Sequence, residues 1–142
     1  SHTLKLSSYL VAQRETSTNS NASTEIVGYA YAGPLIARAA YAWSVETSIY
    51  AKKAEKKSGI GKALYSALEK VLAAQNITNV NACIASPETD DEYLNHNSIQ
   101  FHQHLGYSMI GEFHKCAYKF GRWYNMIWME KMIGSHHQEQ PE

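Results

Sequence analysis

Residues suited to chemistry occur at three places in this sequence. Residues 56–62 (KKSGIGK) combine lysines with two glycines just before a helical pattern. Glu46 stands inside an alternating apolar and aromatic run, and His102 lies among aromatic and apolar residues. A phosphate-binding loop, a general base and a proton donor or acceptor are roles that such residues fill. A plain turn, a surface carboxylate and a core histidine are the corresponding structural alternatives.

The loop at 56–62 leads into an apolar stripe that predicts a helix over residues 60–75. The stripe consists of Ile60, Ala63, Leu64, Ala67, Leu68, Val71 and Leu72. Because the first N–H groups of a helix lack internal partners, the start of this helix is expected to bind phosphate. A nucleotide P-loop would need Gly at position 56, and the dinucleotide fingerprint would need Gly in place of Leu64. Neither pattern fits.

The length and composition limit which kinds of protein this chain can be. The 142 residues suit one domain, and the 44% apolar fraction provides a sizeable core. The 13 basic and 13 acidic residues cancel, so neither nucleic acid nor an anionic membrane is expected as a partner. Cys83 and Cys116 form no CxxC pair, and no apolar run approaches the roughly 20 residues of a membrane span, which predicts a reduced, cytoplasmic setting. We expect residues 1–133 to form the domain and residues 134–142 a polar, frayed tail.

Alternating and helical patterns along the chain predict an α/β fold with a mixed sheet. Strands are predicted over residues 9–12, 25–33, 41–50, 80–85, 107–113 and 118–132, with a turn inside 120–123, and a second helix starts within 95–98 and ends at Gly106. Residues 13–24 are interpreted as an exposed loop rich in Ser, Thr and Asn. Alternation lapses at residues 46–49, which predicts a bulge near Glu46 and a divergence of strands where a ligand could bind.

The loop resembles the pyrophosphate loop of the GCN5-related N-acetyltransferases, which reads Arg/Gln-x-x-Gly-x-Gly/Ala; Lys56 stands at the Arg or Gln position. Three further stretches narrow the resemblance: Gly33-Pro34 followed by residues 38–46 (RAAYAWSVE), Asn95 followed by residues 98–107 (SIQFHQHLGY), and residues 118–123 (YKFGRW). Together they resemble the phosphinothricin and methionine-sulfone acetyltransferase group, whose members often read GPxxxRxAYxWTVE, NxxSIxLHExLGF and KFGRW. The resemblance runs from about residue 10 to residue 131.

This resemblance implies the acyl-CoA N-acyltransferase (GNAT) fold, a mixed, mostly antiparallel twisted sheet with flanking helices. Family members usually carry a strand and two helices ahead of the strand at Tyr9, and this chain is expected to lack them. It also implies transfer of acetyl from acetyl-CoA to the amine of a small amino-acid-like acceptor. Relatives of this kind are commonly homodimers, and the Trp123 and Trp128 pair is interpreted as core or dimer packing.

The resemblance implies catalytic roles for Glu46 and His102. Glu46 is expected to be the general base, acting directly or through water. His102 is expected to protonate the leaving thiolate or to relay the amine proton. His96 and His104 match no role, and we expect no metal site because no third ligand stands at a suitable spacing.

It also places the ligands along the chain. The pantetheine arm is expected to pair with the backbone of Ile49, Tyr50 and Ala51, one of whose amides could stabilise the oxyanion. The pyrophosphate is expected to rest on the amides of Lys57, Ser58, Gly59, Ile60, Gly61 and Lys62. Asn95 matches an asparagine that bonds the pantetheine arm, although it could simply cap the following helix.

On the acceptor side, Arg38 and Tyr41 are expected to join Glu46, with the guanidinium holding a carboxylate or phosphinate. Arg38 could also be a plain loop cation. Ile36 and Asn125 depart from the family pattern, which leaves the acceptor open. Two other functions remain possible at this point: acetylation of a peptide or protein amine, and a non-catalytic module that binds acetyl-CoA.

Overall fold

The structure, a computed structural model, describes residues 8–18, 21–51, 59–86 and 97–142. Lys56, Lys57, Ser58, Asn95 and His96 lie outside the described residues. The elements are β1 (Ser8–Thr18), β2 (Asn21–Pro34), a 3₁₀ turn (Ala39–Tyr41), β3 (Ser44–Ala51), α1 (Ile60–Ala74), β4 (Asn79–Ser86), α2 (Asn97–His104), β5 (Ser108–Lys119) and β6 (Arg122–Met132).

Six strands form one sheet in the order β1-β2-β3-β4-β6-β5. β3 and β4 run parallel, and the other neighbouring strands are antiparallel. Both helices pack on one face, where α1 contributes Leu64, Leu68 and Leu72 to the core and α2 contributes Ile99. The predicted α/β class, with a mixed and mostly antiparallel sheet beside helices, is confirmed.

Within the polar stretch predicted as an exposed loop, residues 13–18 and 21–24 are strand, so the prediction was wrong for these residues. β1 and β2 pair antiparallel from Ser8 opposite Ala32 to Thr18 opposite Asn21, with one register shift between Ala12 and Gln13. A hairpin is held by backbone hydrogen bonds, and threonine favours extended backbone. The polar sequence therefore continues the pairing without an alternating apolar face.

The predicted bulge near Glu46 was also wrong. β3 keeps one register with β2 from Pro34 opposite Val45 to Gly28 opposite Ala51. The pattern lapses for another reason: Thr47 occupies an inward position between Val45 and Ile49, and this polar side chain is buried. Tyr41, predicted as the first residue of the strand, instead ends the 3₁₀ turn of residues 39–41.

The ends of the helices follow from residues with positive φ. After α1, Asn76 has φ of 64°, and the N–H of Ile77 bonds back to the carbonyl of Leu72 at 3.0 Å. After α2, Gly106 has φ of 96°. The turn predicted inside 120–123 is confirmed at Phe120 and Gly121, where φ is 54° and 76°.

The polar tail at 134–142 is held at two points, contrary to the expected fraying. Nδ2 of Asn76 donates to the Glu142 carbonyl at 3.2 Å, and Nε2 of His136 lies 2.7 Å from Oδ1 of Asn79. Both contacts lie near the start of β4. Within the described ranges, no helix combines the length and apolar character of a membrane span.

Candidate active site

A gap opens between β3 and β4. Their parallel pairing covers four positions and ends where Thr47 faces Ala82. Both strands continue beyond that point, β3 to Ala51 and β4 to Ser86. The β3 edge that would have faced β4 therefore has no strand partner in the described chain, and it can accept an extended ligand through backbone hydrogen bonds. Ile49, Tyr50 and Ala51 lie on this part of β3.

The start of α1 lies beside the gap. A Cβ added at Gly61 would stand 2.9 Å from Cζ of Phe101 and 3.7 Å from Cδ1 of Ile49. The end of β3, the start of α1 and the middle of α2 therefore meet at one place. Glycine at position 61 permits this close approach.

The first turn of α1 is suited to an anion. Gly59 precedes the helix with φ of 83°, and no side chain caps the helix. The first turn-closing bond runs from the Ala63 N–H to the Gly59 carbonyl at 3.0 Å, which leaves the N–H groups of Ile60, Gly61 and Lys62 without a helical partner. No acidic residue lies in this turn, and Lys62 is exposed there. The turn thus offers three amides and one positive side chain to a phosphate group.

Glu46 lies on the sheet face opposite the helices. Its neighbours Val45 and Thr47 point toward the core, so alternation directs Glu46 the other way. It is half-buried and stands one residue before the pairing of β3 with β4 ends. Cys83 of β4 lies beyond the last paired position. Burial is the main cause that raises the pKa of Cys83 to about 11, and the nearby Glu46 carboxylate is the second cause. Glu46 is therefore at the mouth of the gap.

His102 is buried on the helix face, with both ring nitrogens engaged. Nδ1 donates to the Ser98 carbonyl at 2.7 Å, because a carbonyl can only accept. Nε2 lies 2.8 Å from the Tyr65 hydroxyl and accepts a hydrogen bond from it. Burial lowers the pKa of His102, an effect that the Ser98 bond partly opposes. His102 is thus a neutral imidazole, separated from Glu46 by the sheet.

His102 belongs to a buried hydroxyl–imidazole cluster formed by Thr47, Tyr65, His102 and Tyr107. Oγ1 of Thr47 lies 3.5 Å from the Tyr65 hydroxyl, and the His102 and Tyr107 rings are 5.3 Å apart. Burial raises the pKa of Tyr65 to about 12 and also raises that of Tyr107. The Tyr107 hydroxyl has no hydrogen-bond partner among the described residues. Apart from His102, sequence reasoning missed this cluster, because tyrosines within apolar helical and strand patterns are more often plain core residues.

The expected acceptor residues Arg38 and Tyr41 are exposed and lie in the connection between β2 and β3. That connection follows the last β2–β3 pair, Pro34 opposite Val45, and so adjoins the Glu46 position. The Tyr41 N–H bonds the Arg38 carbonyl at 3.0 Å, which fixes the turn carrying both side chains. Both side chains are accessible to a ligand from solvent.

Asn125, a departure from the family pattern, has a structural role. Its Oδ1 accepts from the Lys115 N–H at 2.8 Å, and its Nδ2 donates to Oε2 of Glu112 at 3.3 Å. Lys115 has φ of 49° and lies where the pairing of β5 with β6 shifts register. Asn125 therefore holds an irregularity of the outer hairpin.

The chain belongs to the acetyltransferase (GNAT) domain family, which it matches over residues 6–128. A phosphinothricin N-acetyltransferase of Streptomyces coelicolor is 37% identical over 111 residues, which cover 78% of this chain and 61% of that protein. An L-methionine sulfoximine/L-methionine sulfone acetyltransferase of Pseudomonas paraeruginosa is 31% identical over 78% of this chain and 60% of its own length.

A solved structure shows the same fold with a ligand. It is a GNAT superfamily phosphinothricin acetyltransferase from Sinorhizobium meliloti in complex with AcCoA, with a TM-score of 0.70 and 32% sequence identity. The match covers 82% of this chain and 60% of that chain. The chain thus spans about three fifths of the length of these relatives.

Proposed function

We propose that this domain transfers an acetyl group from acetyl-CoA to the amine of a small amino-acid-like acceptor of the phosphinothricin, methionine sulfone or methionine sulfoximine type. The observation that carries the proposal is the gap between β3 and β4, with Glu46 at its mouth and the start of α1 beside it. The names of the two curated relatives support the acceptor class, and the ligand of the Sinorhizobium structure supports the coenzyme.

The described residues fit acetyl-CoA at two places. The amides of Ile60, Gly61 and Lys62 would hold its pyrophosphate, together with the expected residues Lys57, Ser58 and Gly59. The unpaired β3 edge along Ile49, Tyr50 and Ala51 would pair with its extended arm, and Asn95 is expected to bond that arm as well. When bound, acetyl-CoA supplies the activated acetyl thioester. An amide on this edge would stabilise the charge that develops on the carbonyl oxygen.

Glu46 would prepare the acceptor. An amine attacks only after it loses its ammonium proton, and a carboxylate can remove that proton directly or through water. Glu46 faces the open side of the sheet near the exposed Arg38 and Tyr41 connection. The Arg38 guanidinium would hold the acceptor's acidic group through two parallel hydrogen bonds and turn its amine toward Glu46.

His102 is not expected to protonate the leaving thiolate directly. Nδ1 and Nε2 are both hydrogen-bonded, so a proton can leave or reach the ring only through Tyr65 or after one of these bonds breaks. We therefore propose that His102 acts through Tyr65, either as a relay or by fixing the contact between α1 and α2. Its role in proton transfer stays a prediction.

The test is the Glu46→Gln variant, which keeps the size of the side chain but removes its basicity. Release of free thiol from acetyl-CoA with methionine sulfone or phosphinothricin should fall by about 10²- to 10⁴-fold, because general bases contribute that much. The KM for acetyl-CoA should stay unchanged. Glu112→Gln is the matched control, since Glu112 lies on the exposed strand β5.

An unchanged rate in Glu46→Gln would remove Glu46 from the role of base. The same assay with a panel of amines separates the acceptor classes, because turnover with peptides alone would favour a protein or peptide acetyltransferase. Coenzyme binding in calorimetry without turnover of any amine would indicate a binding module.

We also propose that the domain forms a homodimer through the outer hairpin of β5 and β6. Seven large apolar side chains on this hairpin and its turn are more than half exposed: Met109, Ile110, Phe113, Tyr118, Phe120, Trp123 and Met132. β5 is the edge strand of the sheet, and nearly all its residues are exposed. A second copy would cover both the apolar side chains and the strand edge.

A further inference from the structure

Asn81 lies between two carboxylates on one line across the sheet. It pairs with Glu46 of β3 on one side and with Glu130 of β6 on the other. Paired residues project their side chains to the same face, and neighbouring strands are about 4.8 Å apart. Val80 and Ala82, on either side of Asn81, belong to the core, so all three polar side chains lie opposite the helices. A neutral amide thus separates Glu46 from Glu130.

The same amide ties β4 to β3. Asn81 is buried, and its Nδ2 donates to the carbonyl of Val45 at 3.1 Å. On the helix face of the sheet, Oγ1 of Thr47 donates to the main-chain carbonyl of Asn81 at 3.5 Å. The two bonds flank Glu46 just before the strands separate. They connect the residues on either side of Glu46 to Asn81.

Asparagine is a poor strand residue, so its presence at this inner position calls for a compensating interaction. We propose that Asn81 is a positioning residue for Glu46: its amide fixes the strand on which the base stands and keeps a neutral group between Glu46 and Glu130. This inference rests on the proposed function of Glu46 as general base. It concerns how the Glu46 side chain is positioned and how the neutral amide of Asn81 separates it from the Glu130 carboxylate.

Among the described residues, Arg38 and Tyr41 lie in the connection that adjoins Glu46, and few other titratable groups lie near it. Cys83 of β4 lies on the same face, next to Asn81 in the alternation. Tyr31 of β2 lies two residues from Gly33, the β2 partner of Glu46. From β5, Cys116 and Lys119 are close enough to interact electrostatically with Cys83. Across β2 and β5, the line that carries Glu46, Asn81 and Glu130 continues with Gly33 and Ser108, which carry no charge.

The test is Asn81→Asp, followed through the pH dependence of kcat/KM for the acceptor. The new carboxylate stands next to Glu46, so the base should lose its proton only at higher pH. The acidic limb should move upward by on the order of one pH unit, because like charges at this spacing repel through a partly screened medium. In the double variant Asn81→Asp/Glu130→Gln, the acidic limb should move part of the way back toward lower pH. If Asn81 had a purely structural role, the substitution would lower the rate without moving the acidic limb of the pH profile.

Asn79→Asp is the matched control. Asn79 lies on the same strand and the same face, but it pairs with Ser44 and Met132, which carry no charge. Its Oδ1 accepts from Thr78 at 2.8 Å, and aspartate retains that acceptor. The pH profile of this variant should match that of the unaltered protein.

Asn81→Ser tests the main-chain tie without adding charge. Serine is too short to reach the Val45 carbonyl, so kcat should fall by about tenfold, in proportion to a lost hydrogen bond, while the KM for acetyl-CoA is retained. An unmoved acidic limb in folded Asn81→Asp would overturn the inference, and so would an unchanged kcat in Asn81→Ser. Should Asn81→Asp fail to fold, Asn81→Ser decides. A Glu46→Gln variant with full activity would instead refute the proposed function itself.

Discussion

The Tyr65 hydroxyl donates to Nε2 of His102 at 2.8 Å, and this bond joins α1 to α2 inside the core. With Nδ1 of His102 donating to the Ser98 carbonyl, the imidazole is held in a single tautomer. The ring is therefore satisfied when it is neutral. Protonation requires the Tyr65 hydroxyl to turn around and accept.

This arrangement predicts how stability depends on pH. Burial lowers the pKa of His102 below its ordinary value of about 6.5, so the unfolded chain binds the proton more readily than the folded protein. The contribution of His102 is therefore complete above about pH 6.5 and is lost as pH falls through the folded pKa. The difference in free energy of unfolding between the unaltered protein and His102→Asn should narrow on acidification. His104→Asn, on the same helix but exposed, is the matched control, and urea titrations of both variants across this pH range would check the prediction.

Removal of the Tyr65 hydroxyl should destabilise the protein. Tyr65→Phe keeps the ring but leaves Nε2 of His102 without its buried partner, which should cost about 1–3 kcal/mol in the free energy of unfolding. Tyr118→Phe is the matched control, because Tyr118 is exposed and its ring contact with Trp123 survives. Denaturant unfolding measures both variants. Equal stability of the two would show that the Tyr65 bond contributes nothing.

Gly61→Ala should disturb the contact between α1 and α2. The added Cβ would stand 2.9 Å from Cζ of Phe101, so the phenyl ring must move. Overpacking of this kind costs about 1–3 kcal/mol, which outweighs the roughly 1 kcal/mol that alanine gains over glycine inside a helix. The smaller side chain in Gly61→Ala/Phe101→Leu should remove the clash, and a double-mutant cycle would detect the coupling. Additive effects of the two changes would contradict this packing argument.

The ion pair between Lys131 and Glu69 should contribute to stability. Nζ of Lys131 lies 2.8 Å from Oε1 of Glu69 in a partly buried setting and 5.9 Å from the centre of the Tyr107 ring. Lys131→Met should therefore lower the free energy of unfolding by about 1–2 kcal/mol. Lys70→Met, at an exposed position of α1, should change it by less than about 0.5 kcal/mol. A similar small effect at both positions would show that the pair is not stabilising.

The proposed dimer predicts a difference between two exposed apolar sites. Phe113→Lys places a charge on the apolar outer hairpin and should shift the protein toward the monomer in sedimentation equilibrium. Val71→Lys places the same charge at an exposed position of α1, which is not part of the proposed interface, and should leave the mass unchanged. A monomeric unaltered protein, or an unaffected Phe113→Lys dimer, would contradict the proposed interface.

Several features of the fold followed from local sequence. The apolar stripe from Ile60 to Leu72 predicted α1 to within one residue of its end, because helix periodicity is a property of neighbouring positions. The Phe120–Gly121 turn was predicted for the same reason. Thr47 misled the strand analysis, since a polar residue at an inward position breaks the alternation although the strand is regular.

Residue types and their local spacing were enough to identify the glycines, the lysine and the carboxylate that the proposed chemistry needs. Which of these residues share a face of the sheet depends on the fold. Glu46 and His102 lie on opposite faces of the sheet, whereas Glu46, Asn81 and Glu130 lie side by side although they are far apart in sequence. This is because strand order and register, which are set by packing of the whole core, determine the cross-strand neighbours of every residue.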